Sequence, residues 1–243
     1  MSNIETFGII GGGAFGPVAA KHLSPQDAEV LVFDTNPDAG HIKDTQRVGF
    51  TAVAAADVVV LAVPFEAYQS LLPELAETIV PDTMLVDVCS VKTRPTELFQ
   101  DFGLIDRNNV LMTHPLFGPQ SVDGSAEGKK IVVTEQHGAL ADEIQDVWRQ
   151  KGIDIVQMSP AEHDQEMATV HVLTFFVGRA LLEMGIKESF ANTNYFSKLL
   201  SLVELEKHHS RELFDTIQRH NPFAAAMREE FLAALKKLHD EVG

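Results

Sequence analysis

Two short polar segments are candidates for chemistry, because each directly follows an apolar run. Ser90 lies in the first segment, 87–92, and His114 lies in the second, just before Pro115. A neutral imidazole can accept or polarise the O–H of a carbinol near pH 7 while hydride leaves the carbon, and a serine hydroxyl can orient either group. Two alternatives stay open: His114 could be a structural histidine before a proline turn, and Ser90 could cap the next helix.

A glycine-rich turn near the start of the chain predicts a cofactor site. Gly11, Gly13 and Gly16 form a G-x-G-x-x-G pattern between an apolar run and a helical stretch. Gly11 permits the tight turn, Gly13 lets the backbone approach a pyrophosphate, and Gly16 lets helix and strand pack closely. We therefore predict that these glycines, with Ala14 and Phe15 between them, bind a dinucleotide at the helix N-terminus.

Two further strand ends are predicted to face the same cofactor. The second strand-like run ends at Asp34, 18 residues past Gly16, where a carboxylate can accept both hydroxyls of an adenine ribose. The same carboxylate would repel a 2′-phosphate, so we expect NAD rather than NADP. The third run ends at Val63 and Pro64, which should pass beneath the cofactor because ligands bind outside the carboxyl ends of parallel strands.

An open parallel sheet is the element that would bring these residues to one edge. Short runs rich in β-branched residues alternate with helical stretches, and several runs are apolar nearly throughout, as in strands buried on both faces. This alternation predicts an α/β fold with a Rossmann-type, doubly wound, mostly parallel sheet. The strand-like runs cover residues 7–10, 30–34, 57–63, 84–88, 110–113, 131–134 and 153–157.

The strand signals stop near residue 158, where a helical part begins. Ser159, Pro160 and Glu162 are typical of a helix start, and helical patterns continue to about 185, over 192–218 and over 222–240. We predict a dinucleotide-binding domain over 1–158 and a small helical substrate and dimerisation domain over 159–243. Because the second part is short, much of its apolar surface should pack on a second copy, giving a homodimer.

Composition narrows the range of partners. The 243 residues carry 19 Lys and Arg against 35 Asp and Glu, a net charge of −16, which disfavours nucleic acid and anionic membranes. No run approaches the roughly 18 apolar residues of a membrane span, and the N-terminus lacks the features of a signal peptide, so we expect a cytoplasmic protein acting on a small molecule. Cys89 is the single cysteine, so neither an internal disulfide nor a metal site is predicted.

Three ordered motifs resemble the prephenate/arogenate dehydrogenases of tyrosine biosynthesis. They are the segments 87–92, 113–119 and 161–164, and they follow the glycine-rich turn. The phrase THPLFGPQS and the stretch through Gly178 and Arg179 look like the arogenate dehydrogenase branch known from plants. The resemblance implies NAD(P)-dependent oxidative decarboxylation of a cyclohexadienol: hydride leaves C4 for the nicotinamide, the carboxylate leaves as carbon dioxide, and the ring becomes aromatic.

The resemblance also implies roles for single residues. His114 would accept the hydrogen bond of the C4 hydroxyl, Ser90 would assist it, and His163 would line the cleft. Many members carry a histidine twelve positions after the one matching His163, and this chain has Phe175 there. His171 either replaces it or is a polar edge of the helix; at roughly 100° per residue it would lie about 80° around the helix from His163.

The sequence does not identify the residue that would bind the ring carboxylate. Bacterial members use an arginine for this, and near the equivalent stretch this chain has Lys198, with Arg179 and Arg211 as alternatives. A lysine would bind a carboxylate as a point charge rather than as a bidentate fork. Neither prephenate nor arogenate is favoured by any residue.

Two other functions share the same signals. A different Rossmann-plus-helical oxidoreductase, acting on a β-hydroxyacid or an imine, would carry the same glycine pattern, although such enzymes commonly place a lysine or aspartate on the first long helix. A non-catalytic NAD-binding regulator would also carry it.

A solvated helix face is predicted in the helical part of the chain. It consists of His208, His209, Glu204 and Glu206.

Overall fold

The computed structural model describes residues 4–107, 109–122 and 124–243. The chain divides into two compact units, Met1–Pro160 and Ala161–Gly243, which we name the sheet unit and the helical unit. The roles predicted for the two parts of the chain, cofactor binding in one and substrate binding and dimerisation in the other, stay predictions at this level.

Among its described residues the sheet unit contains eight strands, which form one sheet. They are β1 (Thr6–Ile10), β2 (Glu29–Phe33), β3 (Gln46–Arg47), β4 (Val58–Leu61), β5 (Met84–Asp87), β6 (Asn109–Pro115), β7 (Lys130–His137) and β8 (Asp154–Gln157). Their order across the sheet is β3-β2-β1-β4-β5-β6-β7-β8. In this sheet β6 and β7 pair antiparallel, and the other neighbouring pairs run parallel. The predicted mostly parallel, doubly wound sheet is confirmed.

The middle of the sheet is apolar on both faces because helices cover both sides. All four residues of β4 are buried, as expected for a strand in a two-sided sheet. On one face the side chain of Trp148 is fully buried, and its Nε1 donates to the carbonyl oxygen of Leu23 at 3.0 Å. On the other face lie Tyr68 and Phe99, also fully buried. The core therefore packs against both faces of the sheet.

Helices connect the strands of the sheet unit. The first, α1 (Gly16–Val18), continues as a π-helix over Ala19–Leu23, and α3 is preceded by a 3₁₀ turn over Phe65–Ala67. The remaining helices are α2 (Phe50–Ala54), α3 (Tyr68–Thr78), α4 (Thr93–Asp101), α5 (Leu104–Arg107) and α6 (Leu140–Gln150).

The helical unit is helical where the sequence pattern predicted it, with one break. Its helices are α7 (Pro160–Met167), a π-helix over Ala168–Leu173, α8 (Thr174–Glu183), α9 (Asn194–His208), α10 (Arg211–His220) and α11 (Ala224–Val242). The predicted helical stretch over 192–218 is broken between α9 and α10, because the side chain of Ser210 accepts a hydrogen bond from the backbone N–H of Leu213 and begins a new helix.

A small core holds the helical unit together. It is formed by Val172, Phe175, Ile217 and Ala224. The side-chain amide of Asn221 also donates to the carbonyl oxygen of Asp164 at 2.7 Å. Across the described ranges, none of the helices combines the length and apolar character needed to span a membrane.

Candidate functional site

The glycine turn between β1 and α1 is built by close backbone contacts. Gly11 has a φ of 110°, and a Cβ added there would lie 2.3 Å from the carbonyl oxygen of Ala62. A Cβ on Gly16 would lie 2.6 Å from the carbonyl oxygen of Gly11. A Cβ on Gly13, in contrast, would meet no described heavy atom within 4 Å. Glycine at 11 and 16 therefore serves the packing of the turn, whereas at 13 it leaves the backbone open to a ligand.

The glycine turn leads directly into the N-terminus of α1. Phe15 is the N-cap of α1 and packs against the core, while Ala14 is exposed beside Gly13. The N-terminus of a helix presents backbone N–H groups and the positive end of its dipole, which favours anions. The binding of a pyrophosphate by these residues stays a prediction.

Asp34 follows β2 and ties its end to the glycine turn. Its Oδ2 accepts a hydrogen bond from the backbone N–H of Gly12 at 2.6 Å, and its Oδ1 accepts one from the N–H of Asn36 at 2.8 Å. Asp34 and Gly12 line a surface pocket together with His41 and Arg47. The ribose-binding role of this carboxylate stays a prediction.

Arg47 is a residue of this pocket that the sequence analysis missed. From β3 its guanidinium donates to the carbonyl oxygens of Asp34 (3.1 Å), Asn36 (2.6 Å), Pro37 (3.1 Å) and Ala39 (3.2 Å). Arginine thereby holds the loop that carries the Asp34 carboxylate. No sequence signal marked it, because a two-residue exposed strand has no apolar alternation.

Val63 and Pro64 follow β4 next to the glycine turn. Ala62 donates its backbone N–H to the carbonyl oxygen of Ile10 at 2.8 Å. The Val63 side chain lies 3.0 Å from the position that a Cβ on Gly11 would take. Pro64 is exposed and precedes the 3₁₀ turn. Val63 therefore adjoins the glycine turn and Pro64 faces solvent, while their place beneath a cofactor stays a prediction.

The two candidate catalytic residues lie at neighbouring strand ends. Because β5 and β6 run parallel, their carboxyl ends meet at the same edge of the sheet. Ser90 is half-buried, three residues past the end of β5. His114 is 3% exposed and lies inside β6, opposite Val132, so the prediction that it directly follows the strand is wrong. The antiparallel partner β7 extends the pairing to Pro115.

Ser90 is not the cap of the next helix. α4 begins at Thr93, and Lys92 occupies its N-cap position without a side-chain cap bond. The alternative in which Ser90 serves as a helix cap is therefore removed.

A buried ion pair stands between these strand ends. Lys92 Nζ donates to Asp87 Oδ2 and to the carbonyl oxygen of Thr113. The Tyr68 hydroxyl donates to Asp87 Oδ1 at 2.5 Å, and the Thr113 hydroxyl donates to the carbonyl oxygen of Asp87 at 2.7 Å. All four residues have zero solvent exposure. Burial, together with the negative charge of Asp87, raises the pKa of Tyr68 well above 10, so the phenol stays protonated and donates.

Of the histidines in the first helices of the helical unit, His163 is buried and His171 is half-buried. His163 is fully buried, and its Nδ1 lies 2.9 Å from Oδ1 of Asp164. The His171 ring lies at 45° to that of Phe175, with the centroids 5.6 Å apart. Burial, and the imidazoles of His163 and His209, lower the pKa of His171 from 6.5 to about 4, so this ring is neutral at pH 7.

The angular relationship predicted for His163 and His171 is wrong. A step of roughly 100° per residue applies to an α-helix, but residues Ala168–Leu173 form a π-helix, which turns less per residue. Phe175 follows this π segment and belongs to the core of the helical unit. The sequence gives no pattern from which the change of helix type could have been read.

The prediction that His208, His209, Glu204 and Glu206 form a solvated face is wrong for two of the four. The side chain of Glu206 is 1% exposed and that of His209 is 10% exposed, and Nδ1 of His209 lies 3.3 Å from Oε1 of Glu206. His208 and Glu204 are exposed as predicted. For His209 the difference arises because α9 ends at His208, so His209 leaves the helical periodicity. Glu206 lies within α9 and is buried by the close approach of α8, where a Cβ on Gly178 would lie 2.8 Å from Cγ of Glu206.

Two of the three basic residues considered for the ring carboxylate are paired with acidic side chains. Arg179 Nη2 lies 3.0 Å from Oε2 of Glu206, and Arg211 Nε lies 3.1 Å from Oδ1 of Asp215. Both guanidinium groups also lie over the ring of Phe214. Lys198 is exposed on α9 and has no ion-pair partner among the described residues. Arg179 would have to leave a buried carboxylate to bind another anion.

No cluster of metal ligands accompanies these residues. Within residues 4–107, 109–122 and 124–243, no group of three or more His, Cys, Asp and Glu side chains is placed to hold a metal ion.

Comparison with known proteins agrees with the fold and with the motifs. The family described as the prephenate dehydrogenase nucleotide-binding domain matches residues 19–157, which begin after the glycine turn, and a second family, the TYRAAT1-like C-terminal domain, matches 180–242. Two relatives in Arabidopsis thaliana are arogenate dehydrogenase 1, chloroplastic (27% identical, 97% of this chain and 39% of the relative), and arogenate dehydrogenase 2, chloroplastic (31%, 76% and 54%). The chain spans about half the length of the curated relatives it matches.

A solved structure extends the similarity to both units. The crystal structure of prephenate dehydrogenase from A. aeolicus, in complex with hydroxyphenyl propionate and NAD⁺, is 22% identical and has a TM-score of 0.78. It covers 99% of this chain and 91% of its own, which confirms the fold. The matched nucleotide-binding model spans more than half of the sequence. The chain therefore belongs to the prephenate dehydrogenase family.

Proposed function

We propose that this protein is an NAD-dependent dehydrogenase that oxidatively decarboxylates a cyclohexadienol, arogenate or prephenate, in tyrosine biosynthesis. Hydride leaves C4 for the nicotinamide, and the C1 carboxylate leaves as carbon dioxide. The electron pair of the broken C1–carboxylate bond enters the ring, which becomes aromatic, and no net proton is released. Because aromatisation drives the reaction, the protein has to supply mainly a hydrogen-bond acceptor and a fixed pose.

The observation that carries this proposal is the placement of His114 and Ser90 at one edge of the sheet. β1, β4, β5 and β6 run parallel, so the glycine turn, Ser90 and His114 all stand at the carboxyl ends of neighbouring strands. His114 would accept the hydrogen bond of the C4 hydroxyl as positive charge develops at C4. Ser90 would orient that hydroxyl or the imidazole. The arogenate dehydrogenases among the relatives support the substrate class.

NAD suits the residues around the glycine turn. The open position above Gly13 and the start of α1 would bind the pyrophosphate, and the Asp34 carboxylate would bind the adenine ribose and disfavour a 2′-phosphate. NAD, when bound, supplies the hydride acceptor. The A. aeolicus structure, which contains NAD⁺, supports the same cofactor.

On the substrate side we propose His163, His171 and Lys198, with Arg179 as a weaker candidate. His163 and His171 are held by their surroundings in the helical unit, and His171 is neutral at pH 7. Lys198 can offer its charge to a carboxylate, whereas Arg179 is paired with Glu206. Both the keto acid side chain of prephenate and the amino acid side chain of arogenate fall within the proposal.

We also propose a homodimer formed through the helical unit. Leu232, Leu235, Leu238 and Val242 are exposed along α11, and a single folded chain rarely leaves such a row of apolar side chains in water. Sedimentation of the intact protein as a monomer at micromolar concentration would contradict this. The cytoplasmic location stays a prediction.

A steady-state assay of NADH formation tests the function. Prephenate and arogenate are compared side by side with NAD and NADP, and released carbon dioxide is measured in the same reactions. We expect turnover on at least one cyclohexadienol, with one carbon dioxide per NADH and a higher kcat/KM for NAD. Turnover only on simple β-hydroxyacids or imines would favour the other oxidoreductase class, and NAD binding without any turnover would favour a regulator.

A further inference from the structure

Tyr68, Asp87, Lys92 and Thr113 form one buried cluster, which we name the strand-end cluster. Asp87 is its centre: Oδ2 accepts from Lys92 Nζ, and Oδ1 accepts from the Tyr68 hydroxyl at 2.5 Å and from the backbone N–H of Cys89 at 3.1 Å. The donors to the Asp87 carboxylate lie outside β5: Tyr68 is on α3, and Cys89 and Lys92 are in the loop before α4. The cluster therefore joins α3, β5, the loop before α4, and β6.

The cluster is costly if judged by stability alone. Removing two opposite charges from water is unfavourable, and apolar residues of similar volume are often equally or more stabilising. The surroundings are apolar, since Leu85, Val91 and Met112 are fully buried in the same core. Folding stability alone therefore does not explain an ion pair in this position.

The atoms that Lys92 contacts suggest another reason for the ion pair. Lys92 lies two residues after Ser90, and its Nζ donates to the carbonyl oxygen of Thr113. That carbonyl belongs to the same planar peptide unit as the backbone nitrogen of His114. A hydrogen bond to it therefore fixes the peptide plane from which His114 projects, and it does so from the segment that carries Ser90.

The strand pairing is irregular at the same point. The register between β6 and β7 shifts between Met112 and Thr113, where Thr134 is the extra residue on β7. Irregularities of this kind re-aim the side chains that follow them and leave the local ladder less constrained. His114 is the first residue after Thr113, so its direction depends on how that peptide is held.

We propose that Lys92, held by Asp87 and Tyr68, is a positioning residue that sets the orientation of the His114 imidazole relative to Ser90. Lys92 itself is fully buried behind the strand ends. It acts by fixing the Thr113 carbonyl, and Asp87 acts by fixing both Lys92 and the backbone at Cys89. The kinetic part of this proposal rests on the proposed function, and the structural part does not.

The test is a variant that removes both charges together. Lys92→Met alone would leave the Asp87 carboxylate unpaired in the core and could fail to fold, so the main variant is the double substitution D87N/K92M. Lys151→Met is the matched control, because Lys151 also donates to main-chain carbonyls, those of Ser24 and Lys21, away from the strand ends. Folding of each variant is checked by circular dichroism and chemical unfolding.

Two measurements are made on the full-length folded proteins. The first is the nuclear magnetic resonance signal of the His114 ring, assigned by its loss in His114→Asn. The second is steady-state kinetics with arogenate and prephenate, together with the Kd for NADH. In D87N/K92M we expect a displaced or broadened His114 signal, a kcat lowered by about 10²-fold, and KM and the Kd for NADH within about threefold of the wild type. Lys151→Met should change neither readout.

The outcomes separate the two proposals. An unchanged His114 signal in the folded double variant overturns the positioning role, and so does a kcat within threefold of the wild type when the wild type is active. A displaced signal in a protein whose wild type turns over no cyclohexadienol overturns the proposed function and leaves the positioning of His114 supported. A loss of NADH affinity equal to the loss of kcat would indicate general damage and also overturns the role.

Discussion

The imidazole of His209 lies parallel to the phenyl ring of Phe175, with centroids 4.4 Å apart and planes 3° apart. Behind this stack, Oε1 of Glu206 lies 3.3 Å from the imidazole, and its Oε2 lies 3.0 Å from Arg179. His171 contacts the same phenyl ring at a tilt of 45°. At a position where many family members are expected to carry a histidine, this chain thus has a phenylalanine that contacts two imidazoles.

Phe175→Leu should lower the stability of the helical unit. The substitution removes the stacked pair and leaves part of a buried volume empty, so we expect a loss of about 1–3 kcal/mol in the free energy of unfolding. Phe176→Leu is the control, because Phe176 is the next residue of α8 and is only half-buried. Urea unfolding followed by circular dichroism measures both. Equal losses in the two variants would show that the stack contributes nothing specific.

His171 should make stability fall in mild acid. Its pKa is lowered to about 4, so between pH 6.5 and 4 the unfolded chain binds a proton that the folded chain does not. Its contribution is therefore fully present above pH 6.5 and is lost as the pH decreases, by about 2 kcal/mol between pH 7 and 5.

His171→Gln should flatten this part of the pH dependence. Unfolding free energies at pH 7 and pH 5 are compared for the wild type, for His171→Gln, and for His208→Gln, whose histidine is exposed. We expect the slope to shrink only in the first variant. The same slope in all three proteins would assign the acid sensitivity to other groups.

The sheet was predictable because its strands are nearly continuous apolar runs. β4 has four buried aliphatic residues, and no helix period fits them. β3 was missed because Gln46 and Arg47 are both exposed and too few to show alternation. The position of His114 within β6 depends on pairing with β7, a long-range contact that no local pattern encodes.

The candidate site also contains some residues that the sequence could identify and others that it could not. The glycine turn, Asp34, Ser90 and His114 could be named because each occupies a fixed place relative to a strand end. The burial of Glu206 and His209 could not, because it depends on where α9 stops and on the close approach of α8, where a Cβ on Gly178 would lie 2.8 Å from Cγ of Glu206. Ser210 was the one local signal, as a helix N-cap directly after His209.

Asp34→Ser should relax the preference for NAD. Serine keeps an oxygen near the backbone of Gly12 but removes the negative charge that would face a 2′-phosphate. We expect the ratio of kcat/KM for NADP to that for NAD to rise roughly tenfold or more. Asp38→Ser, which removes an exposed carboxylate from the same loop, should leave the ratio unchanged. An unaltered ratio in Asp34→Ser would refute the role of this carboxylate.

His114→Asn should separate catalysis from cofactor binding. Asparagine removes the imidazole acceptor, so kcat on the preferred cyclohexadienol should fall by about 10²–10⁴-fold while the Kd for NADH stays the same. His137→Asn is the control, since His137 lies on β7 opposite the start of β6, at Val110, and is partly exposed. Turnover that survives in His114→Asn would show that another group contacts the C4 hydroxyl.

The glycine turn offers the sharpest distinction between folding and binding. Gly11→Ala would force a φ of 110° on an L-residue and place Cβ 2.3 Å from Ala62, so we expect a loss of about 2 kcal/mol or more in unfolding free energy. Gly13→Ala meets no described atom within 4 Å, and its stability should match that of Gly49→Ala, which is equally open. Its methyl group nevertheless stands where a pyrophosphate would approach, so the Kd for NADH should rise roughly tenfold or more. If Gly13→Ala and Gly49→Ala bind NADH alike in calorimetry, the open face of the turn is not where the cofactor lies.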